Sequence, residues 1–159
     1  MELVGLLDTD FVNYKKSNMT LMFPYCDLKC EKECGLPVCQ NSELANAPTI
    51  ETTNKRLVET YVKSDVTHAI VCQGLEPLDS WKDLFVFVKS VREQYYIQDD
   101  IVIYTGYNKD EILDKIEILK QFKNIVIKYG RFIPNRKPRY DKVLGVELAS
   151  DNQYAEKIS

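Results

Sequence analysis

A chain of 159 residues suits one domain and is long enough to bury roughly 70% of the surface that its unfolded form exposes, so it does not need disulfide staples to fold. A net charge of −3 and a pI of about 5.3 give no support for general nucleic-acid binding. No run is long and apolar enough to span a membrane, and the opening MELVGLLDTDFVNYKK carries acids where a secretory signal has a basic region; the expectation is a protein of the reducing cytosol, with no membrane partner.

Along the chain, NMTLMF (18–23) reads as a buried strand that runs straight into a cysteine-rich loop, residues 24–41. TTNKRLVETYVKSD (52–65) sets Leu57, Val58, Tyr61 and Val62 at helical spacing, and HAIVC (68–72) is a short β-rich run. Ser80 with Asp83 has the form of a capping box, and the helix it would open carries Trp81, Leu84, Val88, Val91 and Tyr95 on one face. DIVIYT (100–105) is a further strand. Asn108 with Glu111 is placed to cap a helix whose inner face is Ile112, Ile116, Leu119 and Phe122. NIVIKY (124–129) is a fourth strand and KVLGVEL (142–148) a candidate fifth. Strands alternating with helices predict βαβ units and a mostly parallel sheet of about five strands in one α/β domain covering residues 1–159. Ligands of such sheets sit past the carboxyl ends of the strands. The cysteine loop, QGLEP (73–77), TGYN (105–108) and GRFIPN (130–135) all follow predicted strands, so they should converge on one edge.

Cys26, Cys30, Cys34 and Cys39 place four of the five cysteines in one short segment. In a reducing compartment such a cluster is more often a metal or redox site than a set of structural bridges. Structural zinc takes two close cysteine pairs, which here would be Cys26/Cys30 and Cys34/Cys39, nearly contiguous. A four-iron cluster takes thiolates at its corners from a loop with several close cysteines. Spacing alone leaves zinc and iron–sulfur equal.

The neighbouring residues carry a resemblance. A cysteine loop directly after an N-terminal strand resembles the radical S-adenosylmethionine (SAM) superfamily, whose signature spaces three cysteines by three and then two residues. More narrowly, Cys39-Gln40-Asn41 is similar to the glycyl-radical-enzyme activases of the anaerobic ribonucleotide reductase activating protein family, in which the third cysteine is followed by one residue and an asparagine. QGLEP matches the superfamily's Gly-Gly-Glu/Asp-Pro motif at Gly74, Glu76 and Pro77, with Leu75 in place of the second glycine. IVIYTGYNKDEI (101–112) resembles the strand ending in Thr-Gly-Tyr, and KYGRFI (128–133) an Asp-Gly-Arg/Pro-Phe segment with Tyr129 in place of the aspartate. LASDNQYAEKI (148–158) matches a closing Gly-Ser-Ser-Asn-Gln stretch at Ser150, Asn152 and Gln153. One departure is Glu33, which stands where the usual third cysteine falls. An insertion around EKECGLPV favours Cys39 as the third ligand and leaves Cys34 as the alternative.

The resemblance implies a shortened partial (βα) barrel in which Cys26, Cys30 and Cys39 hold a [4Fe–4S] cluster and SAM chelates the open iron. It implies an electron donor such as flavodoxin and, as substrate, a large glycyl radical enzyme, an anaerobic ribonucleotide reductase. Within it Gly74 lets the backbone approach a ligand, Glu76 accepts from the SAM amino group, Thr105 and Tyr107 touch ribose or adenine, Asn41 holds the cluster loop or the SAM carboxylate, and Asn152 borders the active face. Cys72 reads as a buried small hydrophobe, and His68 is given no chemical role. The basic stretch RFIPNRKPRYDK (131–142), with Arg131, Arg136, Lys137 and Arg139, is a solvated loop or a docking site for an acidic face of the partner. Two other readings stay open at this point: a zinc-binding interaction module without chemistry, and a radical SAM enzyme acting on a small molecule.

Overall fold

The computed structural model describes all of residues 1–159. In chain order the strands are β1 (Glu2–Leu3), β2 (Gly5–Asp10), β3 (Asn18–Phe23), β4 (Ile50–Glu51), β5 (Ala69–Gly74), β6 (Asp100–Tyr104), β7 (Ile125–Tyr129), β8 (Arg139–Asp141), β9 (Val146–Leu148) and β10 (Tyr154–Lys157). The helices are α1 (Lys29–Cys34), α2 (Asn54–Val62), α3 (Trp81–Lys89) and α4 (Leu113–Leu119). Six strands form one mixed sheet in the order β10-β7-β6-β5-β3-β2. The four central strands are parallel, and β2 and β10 flank them antiparallel.

The central strands are buried on both faces, which explains why IVIY and, but for its lysine, IVIKY read as apolar runs rather than alternating ones. One face, with Ile70, Cys72, Ile101, Ile103, Ile125 and Ile127, packs on α2, α3 and α4 through Leu57, Leu84, Phe87 and Leu119. The alternate residues Val71, Val102 and Val126 point the other way and meet Tyr14, Leu144 and Leu148. Each fully buried side chain of this kind contributes roughly 1.5–3 kcal/mol relative to its exposure.

Local chemistry sets the ends of the elements. The hydroxyl of Thr53 accepts the N–H of Arg56 at 3.2 Å, so α2 starts inside the predicted 52–65 segment, and Val62 at its end is exposed. Of the Asn108–Glu111 capping box, the Glu111 carboxylate accepts the N–H of Asn108 at 2.7 Å while the Glu111 N–H bonds the Asn108 carbonyl at 3.1 Å, and the predicted inner face, Ile112, Ile116, Leu119 and Phe122, is buried. The Ser80–Asp83 box does not form. A 3-10 turn over Pro77–Ser80 already opens after Glu76, whose carboxylate caps it by accepting the N–H of Leu78 at 3.0 Å. Ser80 therefore lies inside a helical turn, and its buried hydroxyl has no partner.

The candidate fifth strand, 142–148, is also corrected. Asp141 accepts the N–H groups of Val143 and Leu144 at 2.9 Å and turns the chain, and Gly145 at φ 74° completes the turn. The result is a separate β8–β9 hairpin. The fifth and sixth strands of the sheet are instead β2 and β10.

Candidate metal centre

The carboxyl ends of the parallel strands open into a cleft of about 350 Å³. Each of the four loops expected to converge there does so: Cys26, Cys30 and Cys39 follow β3, Glu76 follows β5, Thr105 to Tyr107 follow β6, and Gly130 to Phe132 follow β7. None of the five cysteines is in a disulfide.

Cys34 does not line the cleft; its thiol is directed at the carbonyls of Glu31 (3.8 Å) and Leu36 (3.4 Å). Cys72 is fully buried in the core and burial drives its thiol far up, as its reading as a small hydrophobe requires. Burial also pushes the Cys26 thiol up to about 11 and raises Cys30, so both are protonated without metal, and a bound metal displaces those protons.

Asn41 lines the cleft and donates from Nδ2 to the carbonyl of Gly74 at 2.9 Å, tying the end of the cysteine loop to the end of β5. Gly74 itself is not part of the lining. Its φ of 109° and the backbone of β3 demand glycine: a Cβ there would lie 2.6 Å from the nitrogen of Phe23. Asn152 is also outside the lining and supports the site from behind, donating from Nδ2 to the carbonyl of Arg131 at 2.8 Å. Thr105 is buried in the wall, where its hydroxyl accepts the N–H of Tyr107 at 3.0 Å. The Tyr107 hydroxyl donates to Asp79 at 2.6 Å.

Glu76 is the buried acid of the cleft, 4% exposed. Its two oxygens accept the N–H groups of Leu78 (3.0 Å) and Gly106 (2.8 Å). Burial raises its carboxyl to about 7, against the lowering effect of those hydrogen bonds.

One residue of the site is absent from the reading of the sequence. Lys128, on β7, is buried and lines the cleft, with its ammonium donating to the carbonyl of Gly130 at 2.9 Å. Burial lowers it to about 8, and the charge of Glu76 opposes that shift. The available signal was a single lysine inside the otherwise apolar run IVIKY. His68, by contrast, is exposed at the opposite end of β5.

Arg131 is the one basic residue of the stretch 131–142 that is buried. It is bidentate to Glu111 at 2.6 Å through both terminal nitrogens, which hold Glu111 down to about 2. Arg136, Lys137 and Arg139 are exposed. No helix is long and apolar enough to cross a membrane.

The donor set fits a cluster held at three corners. Three free thiols share one cleft, and thiolates are the ligands such clusters take. A four-cysteine zinc site would need the Cys34 thiol turned inward, where it is not. No curated protein and no solved structure matches the chain significantly. The thiol arrangement and the sequence nevertheless agree on iron–sulfur binding, because a family model covers most of the chain, residues 15–153, and the protein belongs to that family, the 4Fe-4S single cluster domain.

Proposed function

We propose that this protein is a radical SAM activase that makes a glycyl radical on a large partner enzyme, an anaerobic ribonucleotide reductase. The same reading takes the sheet and its helices as a shortened partial (βα) barrel and the compartment as the cytoplasm. The observation that carries it is the company the three thiols keep. Cys26, Cys30 and Cys39 share their cleft with one buried acid, Glu76, and one buried amine, Lys128. An α-amino acid head group carries the two complementary charges.

In this reading Glu76, fixed by two backbone N–H groups, receives the ammonium of SAM. Lys128 faces its carboxylate, and a bound anion would restore the lysine's charge that burial disfavours. Asn41 holds the cluster loop against β5. Thr105 and Tyr107 form the wall past β6, where the nucleoside would lie. The cluster, held by Cys26, Cys30 and Cys39, would supply one electron from a donor such as flavodoxin to cleave SAM reductively to methionine, and the deoxyadenosyl group would end as 5′-deoxyadenosine with a hydrogen atom from a glycine Cα of the partner. The chain's own part is to orient that bond at an open sheet edge within reach of a docked protein.

The test is anaerobic reconstitution with iron and sulfide, then reduction in the presence of SAM. The expected products are 5′-deoxyadenosine and methionine, formed slowly by the protein alone. With a cognate reductase added, electron paramagnetic resonance should show a glycyl radical on the larger protein. A cluster that forms but never cleaves SAM overturns the reading, and so does turnover of a small molecule with no glycyl radical.

A further inference from the structure

Helix α1 lacks what normally holds a helix. It has six residues, and none of them is buried. So short a helix does not persist alone in water, because nucleation costs more than one turn of hydrogen bonds returns. Helices in folded proteins usually rest on an apolar face. α1 has none, yet it lies inside the cysteine loop and carries Cys30 in its first turn.

Polar contacts replace that face. At the entrance, Leu28 adopts φ 55° and the Asp27 carboxylate accepts the N–H of Lys29 at 3.2 Å. The N–H of Asp27 is itself held by Asp79 at 3.2 Å. At the exit, Gly35 at φ 68° donates its N–H to the carbonyl of Glu31 at 2.8 Å. Between the ends, the Lys29 ammonium stands 3.8 Å from the centre of the Tyr107 ring. Glu33 places Oε1 3.1 Å from Nε of Arg131, an ion pair whose angle leaves the buried Nε–H without a hydrogen-bond partner, so the attraction is between charges. Arg131 is a fixed anchor, since its side chain is only 6% exposed and its other nitrogens are bidentate to Glu111.

The third thiol lies beyond the helix, so the chain must turn back to bring it to the cleft. Glu31 makes that connection, its Oε1 accepting the N–H of Cys39 at 3.0 Å. One face of α1 thus grips the scaffold through Glu33, and another grips the returning loop through Glu31.

We propose that α1 is a docked adaptor that sets the geometry of the cluster site, with Glu33 and Glu31 as positioning residues. Glu33 fixes the helix on Arg131, and Glu31 draws Cys39 back beside Cys26 and Cys30. This rests on reading those three cysteines as the cluster ligands. It also accounts for Glu33 at the place where a short-spaced loop carries its third cysteine: the insertion moves the thiol on to position 39, and position 33 docks the helix instead. Because no residue of α1 is fully buried, its glutamates should govern the cluster and leave the stability of the metal-free fold nearly alone.

The test compares the full-length wild type with Glu33→Gln, Glu31→Ala and Glu31→Gln. Each is reconstituted anaerobically, and three quantities are read: the rate of iron loss to a chelator, the paramagnetic resonance spectrum of the reduced cluster, and thermal melting of the metal-free protein. Glu31→Ala removes an acceptor and should release iron about tenfold faster, the size of one lost charge-assisted hydrogen bond. Glu33→Gln should release it a few-fold faster, as befits a pair with one exposed partner. Both should alter the spectrum while the metal-free melting temperature stays put. Glu31→Gln keeps an acceptor oxygen and should hold iron nearly as the wild type does. Wild-type rates and spectra in Glu31→Ala and Glu33→Gln overturn the adaptor while the cluster reading stands. Melting temperatures that fall in step with iron retention also overturn it, since the residues would then be merely structural. A wild-type chain that takes up no iron overturns the cluster reading and the adaptor with it.

Discussion

Oε2 of Glu76 accepts the N–H of Gly106 at 2.8 Å, so a single buried carboxylate fastens the loop leaving β5 to the loop leaving β6. The same carboxylate pins the turn before α3 through Leu78. Two walls of the cleft are thus hinged on one titratable group, and the shape of the site is tied to its charge.

That coupling has a sign. Burial raises Glu76 from an ordinary 4.5 to about 7, so the folded chain binds this proton more tightly than the unfolded chain. The group's contribution to stability is fully present below pH 4.5 and is lost as pH rises towards 7, a change on the order of 3 kcal/mol. Metal-free wild type and Glu76→Gln, compared by chemical denaturation across that window, should therefore differ in slope, with the variant losing less stability as pH rises. Parallel curves would show that the carboxyl titrates normally.

The cysteines divide three against two. Cys26→Ala, Cys30→Ala and Cys39→Ser should each abolish the visible iron–sulfur absorption, because the remaining two cleft thiols cannot fix a cluster with a single open corner. Cys34→Ser should retain most of the iron, as its thiol faces away from the cleft. Cys72→Ala should retain it too, at the cost of a small core cavity. Loss of iron in Cys34→Ser equal to that in Cys39→Ser would return the loop to a four-cysteine site.

Gly74→Ala should damage both fold and site. The substitution forces a side chain into φ 109° and against the backbone of β3, where the new Cβ would sit 2.6 Å from Phe23 nitrogen. Strain of this kind costs roughly 1–3 kcal/mol. Because Asn41 hangs from the Gly74 carbonyl, iron retention should fall as well. A variant of wild-type denaturation midpoint would place the backbone elsewhere.

Arg136, Lys137 and Arg139 are exposed on the chain that leads from the cleft into the β8–β9 hairpin, and Phe132, near its start, lines the cleft. On the activase function proposed above, Arg136→Glu with Arg139→Glu should weaken activation of a cognate reductase, leave the isolated cluster intact and reduce the salt sensitivity of activation. Activation at the wild-type level would leave the hairpin a solvated connection.

Much of this architecture is written locally. The parallel strands announce themselves because burial on both faces makes them apolar runs, as in the IVIY that ends β6. The Asn108–Glu111 cap is legible because both partners lie within one turn. The cysteine loop is legible as a metal site because four thiols stand close in sequence. What depends on distant neighbours is not. β2 and β10 are half-exposed edge strands, identified only by the strands they pair with. Ser80 resembles a cap until Glu76 opens the turn ahead of it. Gly74 suggests a ligand in sequence, but its need for glycine comes from Phe23, fifty-one residues earlier and hydrogen-bonded alongside. Lys128 becomes a site residue only when β7 delivers its ammonium into the cleft that Glu76 also faces. Local sequence is enough to tell which residue types are available for chemistry, because motifs act over a few bonds. Which of them share one dielectric environment was decided by the tertiary structure, because burial and electrostatic coupling depend on distance in space and not on distance along the chain.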